Sequence, residues 1–216
     1  KKFLDVGCGI GRNSYWPLIY GAHSALCIDV DNRTLECAKT NLKKFKSVNI
    51  VNRSAYQINE SDRFDIAFSI GVVHHLEDPK LALSNMVKSV RIGGSVLIWV
   101  YGYENNEWIV KYFNPLRNML FSRLPISVVH FLSIFPTLFL YIYIRLTKGK
   151  TEYINLIRKF SFSHLRSIVF DQMLPKIANY YKEEEVKFLM ESVGLVDIKT
   201  NWVNEMSWAI IGKKVN

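Results

Sequence analysis

Short apolar runs alternate with amphipathic stretches from the first residue to about position 102, and the alternation resumes near position 178. Runs of strand length at 2–6, 24–29, 48–51, 64–70 and 95–100 are bounded by glycine or polar clusters and read as strands. The stretch Phe64–Ile70 is mostly apolar, as suits a parallel strand buried on both faces. Between these runs the period changes. A helix is expected from Ser14 to Tyr20, and another begins at Asp31 or Asn32, either of which caps free amides, with Leu35, Ala38, Leu42 and Phe45 on one face. Residues 79–90 place Leu81, Leu83, Met86, Val87 and Val90 at helical spacing before Gly93-Gly94, which is expected to end that helix. Late in the chain Glu183–Ser192 reads as a helix closed by Gly194, and 196–200 and 207–211 read as two final strands. Strand–helix units in this order predict an open, doubly wound α/β sheet.

The first strand runs into Asp5-Val6-Gly7-Cys8-Gly9-Ile10-Gly11-Arg12. Three alternate glycines let a backbone pass close to a ligand lying across the carboxyl end of the strand. Eighteen residues after Gly11 the second strand ends in Asp29, whose carboxylate can accept from two vicinal ribose hydroxyls. The dinucleotide fingerprint would place its third glycine at position 12, which is Arg12, and Asp5 sets a negative charge where a pyrophosphate would lie. A cationic sulfonium cofactor without phosphate suits the same loop.

This D-x-G-x-G-x-G run, with an acidic residue closing the next strand, resembles the class I S-adenosylmethionine-dependent methyltransferases. The resemblance covers residues 2–102 and about 178–214. It implies a Rossmann-like seven-stranded sheet with the last strand antiparallel, and S-adenosyl-L-methionine as cofactor. It implies that Gly7, Gly9 and Gly11 carry the methionine and ribose, with Cys8 a small filler between them and Asp5 near the ammonium end. Asp29 would bind the ribose hydroxyls and Val30 would lie against the adenine. Ser54 stands where the family usually has a carboxylate for the adenine amino group, with the Ala55 amide beside it. Ser69 and Ile70 would face the reacting methionine. The stretch Gly71-Val72-Val73-His74-His75-Leu76-Glu77-Asp78-Pro79 resembles the V-L-H-H-L-x-D-P of small-molecule methyltransferases, so His74 or His75 is a candidate general base. The competing expectation is that one of them orients the loop and caps the next helix.

Composition narrows the setting. The chain has 216 residues and a formal charge of +9, of which residues 103–180 supply the largest share, ten Lys/Arg against four Asp/Glu. Such a face suits nucleic acid, an anionic membrane or an acidic substrate, or is a solvated surface. Nucleic acid is disfavoured as the acceptor, because no Asn/Asp-Pro-Pro-aromatic sequence follows the fourth strand and no Pro-Cys pair is present. Three cysteines at 8, 27 and 37 have no metal spacing and form no even disulfide set; with no secretory signal, a cytoplasmic protein without a bound metal is expected.

Residues 103–177 are not accounted for by the resemblance. We expect a core of 1–102 and 178–216 with this segment inserted as a helical, hydrophobic and basic lid. Between Arg123 and Arg145 lie 21 residues without a formal charge. By length they would span a membrane, but strands on both sides of the run must share one sheet, and Pro136 favours a bent helical hairpin. Three roles remain open for residues 124–144: a lid over the acceptor, peripheral membrane contact with Arg117, Arg123, Arg145, Lys148 and Lys150 on anionic headgroups, or a subunit interface. Tyr101, Asn106, Trp108, His164, Arg166 and Asp171 are candidates to line the acceptor site. The expected reaction is methyl transfer to a small or lipid-like hydrophobic acceptor at oxygen, nitrogen or carbon. The alternatives are an RNA or protein methyltransferase, or a non-catalytic cofactor- or membrane-binding module.

Overall fold

A computed structural model describes residues 1–147, 149 and 151–215. It divides into two compact units. The first holds Lys1–Tyr101, Tyr181–Asn201 and the chain from Trp208 onward, and the second holds Gly102–Tyr180 with Trp202–Ser207.

The strands are β1 (Lys2–Val6), β2 (Ser24–Asp29), β3 (Val48–Asn52), β4 (Phe64–Ile70), β5 (Val90–Tyr101), β6 (Leu195–Val203) and β7 (Ser207–Lys214). They form one seven-stranded sheet in the order β3-β2-β1-β4-β5-β7-β6, with the first five parallel and the closing strands antiparallel. The direction of winding reverses between β1 and β4, which opens a crevice at their carboxyl ends. The doubly wound α/β reading of the sequence is therefore correct.

β1 lies inside the sheet and buries Phe3, Leu4 and Val6, with the Phe3 ring stacked on Phe68 of β4 at 5.4 Å. Truncation of Leu4 to alanine would cost about 2–5 kcal/mol in such a site. Helices α1 (Arg12–Ile19), α2 (Asn32–Leu42) and α3 (Pro79–Ser89) are the crossovers of the sheet. Asp31 is the cap of α2, its carboxylate accepting from the Arg33 amide, and the helix buries Leu35, Ala38 and Leu42 as its spacing predicts. Asp78 caps α3 in the same way through the Leu81 amide.

Two expectations for α3 fail together. The helix ends at Ser89 and passes directly into β5, and Leu81 is exposed while Ala82 takes the inward position. Gly93 and Gly94 therefore lie inside a strand. The pairing of β4 with β5 moves from Phe64↔Val90 to Ile66↔Ser95, so β5 accommodates extra residues in a bulge there. Gly93 has φ 74°, and a Cβ on Gly94 would stand 2.7 Å from the Arg91 carbonyl oxygen. Glycine was needed for a bulge rather than a helix stop.

In the second unit α4 (Asn114–Met119), α5 (Ile126–Leu132), α6 (Ile134–Leu146), α7 (Glu152–Ile157) and α8 (Phe162–Met173) follow one another. The last helix of the chain, α9 (Glu183–Glu191), belongs to the first unit. Ile144, Ile157 and Leu165 form the apolar centre of the second unit. Asn106, expected near an acceptor, is buried and donates to the carbonyls of Gly102 and Met206.

The uncharged run does not fold into a hairpin. Ser133 separates α5 from α6 but keeps helical dihedrals (φ −59°, ψ −19°), its amide donates to Val129 O, and the Thr137 amide donates to Ser133 O. Pro136 removes an amide in the first turn of α6, where a free donor would otherwise be lost, so it breaks the helix locally without reversing it. Residues 126–146 are long and apolar enough to cross a membrane. However, β5 before the run and β7 after it are neighbours in one sheet, so the chain does not cross a bilayer there once. Lys148 and Lys150 lie outside the described residues.

Candidate functional site

The crevice is built by the turn between β1 and α1. Gly7, Gly9 and Gly11 adopt φ of 77°, 51° and 81°, left-handed values that β-carbon-bearing residues take at a cost. The amides of Gly7 and Cys8 both donate to Ile28 O, which fixes the turn to β2. A Cβ on Gly7 would meet Val72 Cγ2 at 2.2 Å, and one on Gly11 would meet Leu42 Cδ1 at 2.8 Å. A Cβ on Gly9 would meet nothing within 4 Å, so this glycine faces open space. Two of the glycines are therefore required by packing, and the middle one by its left-handed backbone alone.

Asp29 stands at the end of β2 and reaches across to that turn. Its Oδ2 accepts from the Gly9 amide at 2.8 Å and its Oδ1 from the Asp31 amide at 3.0 Å. Each oxygen retains a second lone pair for a ligand hydroxyl. The next residue, Val30, is two-thirds exposed at 67%, and Ile10 is half exposed, which gives the turn two open apolar flanks.

Asp5 lies beneath the turn, fully buried. Ser14 Oγ donates to its Oδ2 at 2.6 Å, and its Oδ1 is buried without a protein partner. Burial pushes its carboxyl up to about 7, against the lowering effect of the Ser14 hydroxyl and with a smaller push from Asp29. Ser14 was not singled out from the sequence, although a carboxylate inside an apolar strand signals that a nearby donor is needed. Cys8 is also buried, and its neighbour Cys27 together with burial drives its thiol far up, so it behaves as packing.

The remaining predicted contacts fall into place less evenly. Ser54 caps a short turn over Ala55–Gln57, its Oγ accepting from the Tyr56 amide, and Ala55 is buried there. Ser69 is fully buried and donates to Val6 O at 2.8 Å, so its side chain ties β4 to β1 rather than facing a ligand. Ile70 is half-buried at the end of β4, and Gly71, φ 80°, turns the chain away with its amide on Trp99 O.

His74 is the unexpected feature. It is fully buried, and neither Nδ1 nor Nε2 has a hydrogen-bond partner. Its ring lies 3.9 Å from that of Tyr101, 4.2 Å from His75 and 6.0 Å from Trp99. Burial, reinforced by His75, lowers it to about 2, so it is a neutral imidazole near pH 7. His75 is half-buried, with its amide on Val72 O. Trp99 was missed in the sequence because strand periodicity alone does not show which end of a strand carries function.

Tyr101 belongs to the first unit, while Trp108, His164 and Arg166 belong to the second. There Trp108 is exposed, His164 stacks on Phe160 at 4.1 Å, and Arg166 donates to His130 O and Ser133 Oγ. Arg166 thus closes the junction of α5 and α6. Among the described residues no group of three or more His, Cys, Asp or Glu side chains is placed to share a metal ion.

A sheet in this order, with a glycine turn clamped to a carboxylate at its switch point, defines a nucleoside-cofactor-binding α/β domain. Residues 4–98 match the family model described as a methyltransferase domain. That match takes in the glycine turn and Asp29, and over these residues the chain is similar to methyltransferase domains. Among curated relatives, the ubiquinone biosynthesis O-methyltransferase, mitochondrial, of Dictyostelium discoideum is 24% identical over 141 residues, 59% of this chain and 43% of that protein. The tRNA U34 carboxymethyltransferase of Ruthia magnifica subsp. Calyptogena magnifica is 30% identical over 101 residues, 45% of this chain and 32% of that protein. The chain thus spans less than half the length of either relative. Among solved structures, phosphoethanolamine N-methyltransferase 2 of Haemonchus contortus, in complex with S-adenosyl-L-methionine, superposes with a TM-score of 0.62 at 14% identity, covering 100% of this chain and 49% of that one. At that identity the likeness concerns the fold alone.

Proposed function

We propose that this chain binds S-adenosyl-L-methionine over residues 5–11 and Asp29 and transfers its methyl group to a small, hydrophobic or lipid-like acceptor. The observation that carries the reading is the clamp of Gly9 to Asp29, which sets a left-handed glycine facing open space beside a ribose-binding carboxylate. The unpartnered Oδ1 of the buried Asp5 leaves an acceptor beneath the turn for a donor such as the cofactor's ammonium group. When bound, the cofactor supplies an electrophilic methyl on a sulfonium. Asp29 accepts from the ribose hydroxyls, Val30 and Ile10 flank the base, and Asp5 holds the ammonium end.

The His74, His75, Trp99 and Tyr101 cluster supports an apolar acceptor. A proton from an acceptor hydroxyl is better taken by His75 than by His74, because the buried ring of His74 resists protonation. His74 instead offers a neutral donor and an acceptor. Alignment and exclusion of water supply most of the acceleration. Calorimetry with S-adenosylmethionine and S-adenosylhomocysteine tests cofactor binding, and label transfer into extracted lipids and small molecules tests the acceptor. Binding without transfer to any fraction would favour a non-catalytic module.

A second reading, an RNA acceptor, is supported by the tRNA-acting relative and by the basic segment 103–180. It requires steeply salt-dependent RNA binding. A flat response dismisses it.

A further inference from the structure

We infer that the outward stripe of α5 and α6 docks on the surface of an anionic lipid bilayer, with the helices lying in the plane of the interface. A helix at a protein surface normally turns its apolar stripe inward. Here apolar side chains line both faces. The face packed within the second unit holds Val129, Ile144 and the hydroxyl side chains of Ser133 and Thr137, with Leu140 and Tyr141 half-buried beside them. The exposed face carries Phe131, Phe135, Leu138, Phe139, Ile142 and Leu146, which recur at three- and four-residue spacing and make one continuous stripe. Phe139 is 76% exposed and Leu146 81%. A contiguous apolar stripe of this kind marks a docking surface.

Charge selects the occupant. No Asp or Glu occurs between Glu107 and Glu152, whereas Lys111, Arg123, Arg145, Lys148 and Lys150 do; Arg117, expected on a headgroup surface, is instead buried. Arg123 and Arg145 are exposed at the two ends of the uncharged run. Against a second copy of this chain, two basic rims of the same sign would be brought together; anionic headgroups complement them. Exposed Trp108, Tyr112 and Tyr143 carry the amphipathic rings that settle at a headgroup boundary. The run does not span, because the strands on either side of it share one sheet, so it lies flat.

The test is co-flotation of the whole chain with vesicles of phosphatidylcholine alone and of phosphatidylcholine mixed with phosphatidylglycerol. The expected result is binding to the mixed vesicles that weakens at high salt. The double variant Phe135→Ser/Phe139→Ser should lose binding on the order of tenfold or more, and Arg123→Glu/Arg145→Glu should lose the preference for phosphatidylglycerol. All four positions are exposed, and an unchanged thermal melt certifies the variants as folded. No flotation with the mixed vesicles overturns the proposal, as does flotation indifferent to both variants. A dimer in light scattering that Phe135→Ser/Phe139→Ser dissociates also overturns it, because a second copy then occupies the stripe. Cofactor affinity, read in parallel, is independent of every one of these outcomes.

Discussion

The amide of Gly9 donates to Asp29 Oδ2 across 2.8 Å, and this bond ties the glycine turn to the carboxylate that closes β2. Asp29 holds the turn and, in the proposed function, also receives the ligand. Asp29→Ala removes the acceptors of both the Gly9 and Asp31 amides. We expect a loss of about 1–3 kcal/mol in stability for the stranded donors, together with loss of most S-adenosylmethionine affinity. Urea denaturation and calorimetry on the same protein measure the two effects, and unchanged affinity would contradict the assignment of Asp29.

The three glycines separate stability from binding. Gly7→Ala drives a Cβ into Val72 and should unfold or strongly destabilise the protein. Gly9→Ala meets no neighbour and carries only the left-handed backbone cost, roughly 1–2 kcal/mol. Its methyl group nevertheless occupies the space the proposed cofactor needs. The expected pattern is a folded Gly9→Ala protein with little cofactor affinity, measured by thermal melting and calorimetry. Full affinity in that variant would place the ligand elsewhere.

The turn and Asp29 were legible in the sequence because both depend on local chemistry. Glycines at alternate positions after one strand, with a carboxylate closing the next, specify a tight turn beside an acceptor whatever the distant chain does. The bulge in β5 was not legible. Gly93-Gly94 after an apolar helix fits a helix stop as well as a strand irregularity, and only pairing with β4 distinguishes them. The same limit applies to Ser69 and His74, which lie at the end of one strand and just past it. Whether such a side chain points to a ligand or to a neighbouring strand depends on contacts 63 residues away in sequence, as in the Ser69–Val6 bond. The outward apolar face of α6 was hidden for another reason: composition showed the apolar run, but not which side the second unit would cover.

The β5 bulge yields its own prediction. In Gly94→Ala the new Cβ would lie 2.7 Å from Arg91 O and 3.0 Å from Asp65 O, both backbone atoms that cannot swing aside. Overpacking of this kind costs about 1–3 kcal/mol. Gly21→Ala differs in kind: it has no neighbour within 4 Å and carries only the left-handed backbone cost of its φ of 87°, roughly 1–2 kcal/mol. The Gly94 variant should melt below the unsubstituted protein, and an unchanged melting temperature would mean the bulge is not formed as described.

Asp5 and His74 give folding a pH dependence with opposite signs. Asp5 is raised by burial from 3.8 to about 7, so between those values the folded chain keeps a proton the unfolded chain has released. Its contribution is complete below 3.8 and is lost as pH rises through 7. His74 is lowered by burial from 6.5 to about 2, so below 6.5 the unfolded chain takes up a proton that the folded chain refuses. Its contribution is complete above 6.5 and is lost as pH falls. Between about pH 4.5 and 6.5 each group would contribute a slope of up to about 1.4 kcal/mol per pH unit, and the two cancel. Asp5→Asn leaves the His74 slope alone, so its stability should climb with pH across this window. His74→Leu leaves the Asp5 slope alone, and its stability should decline over the same range. Urea denaturation at several pH values reads both slopes directly. Parallel curves for the two variants would mean that neither side chain is held in the buried, uncharged state on which the neutral imidazole beside Tyr101 depends.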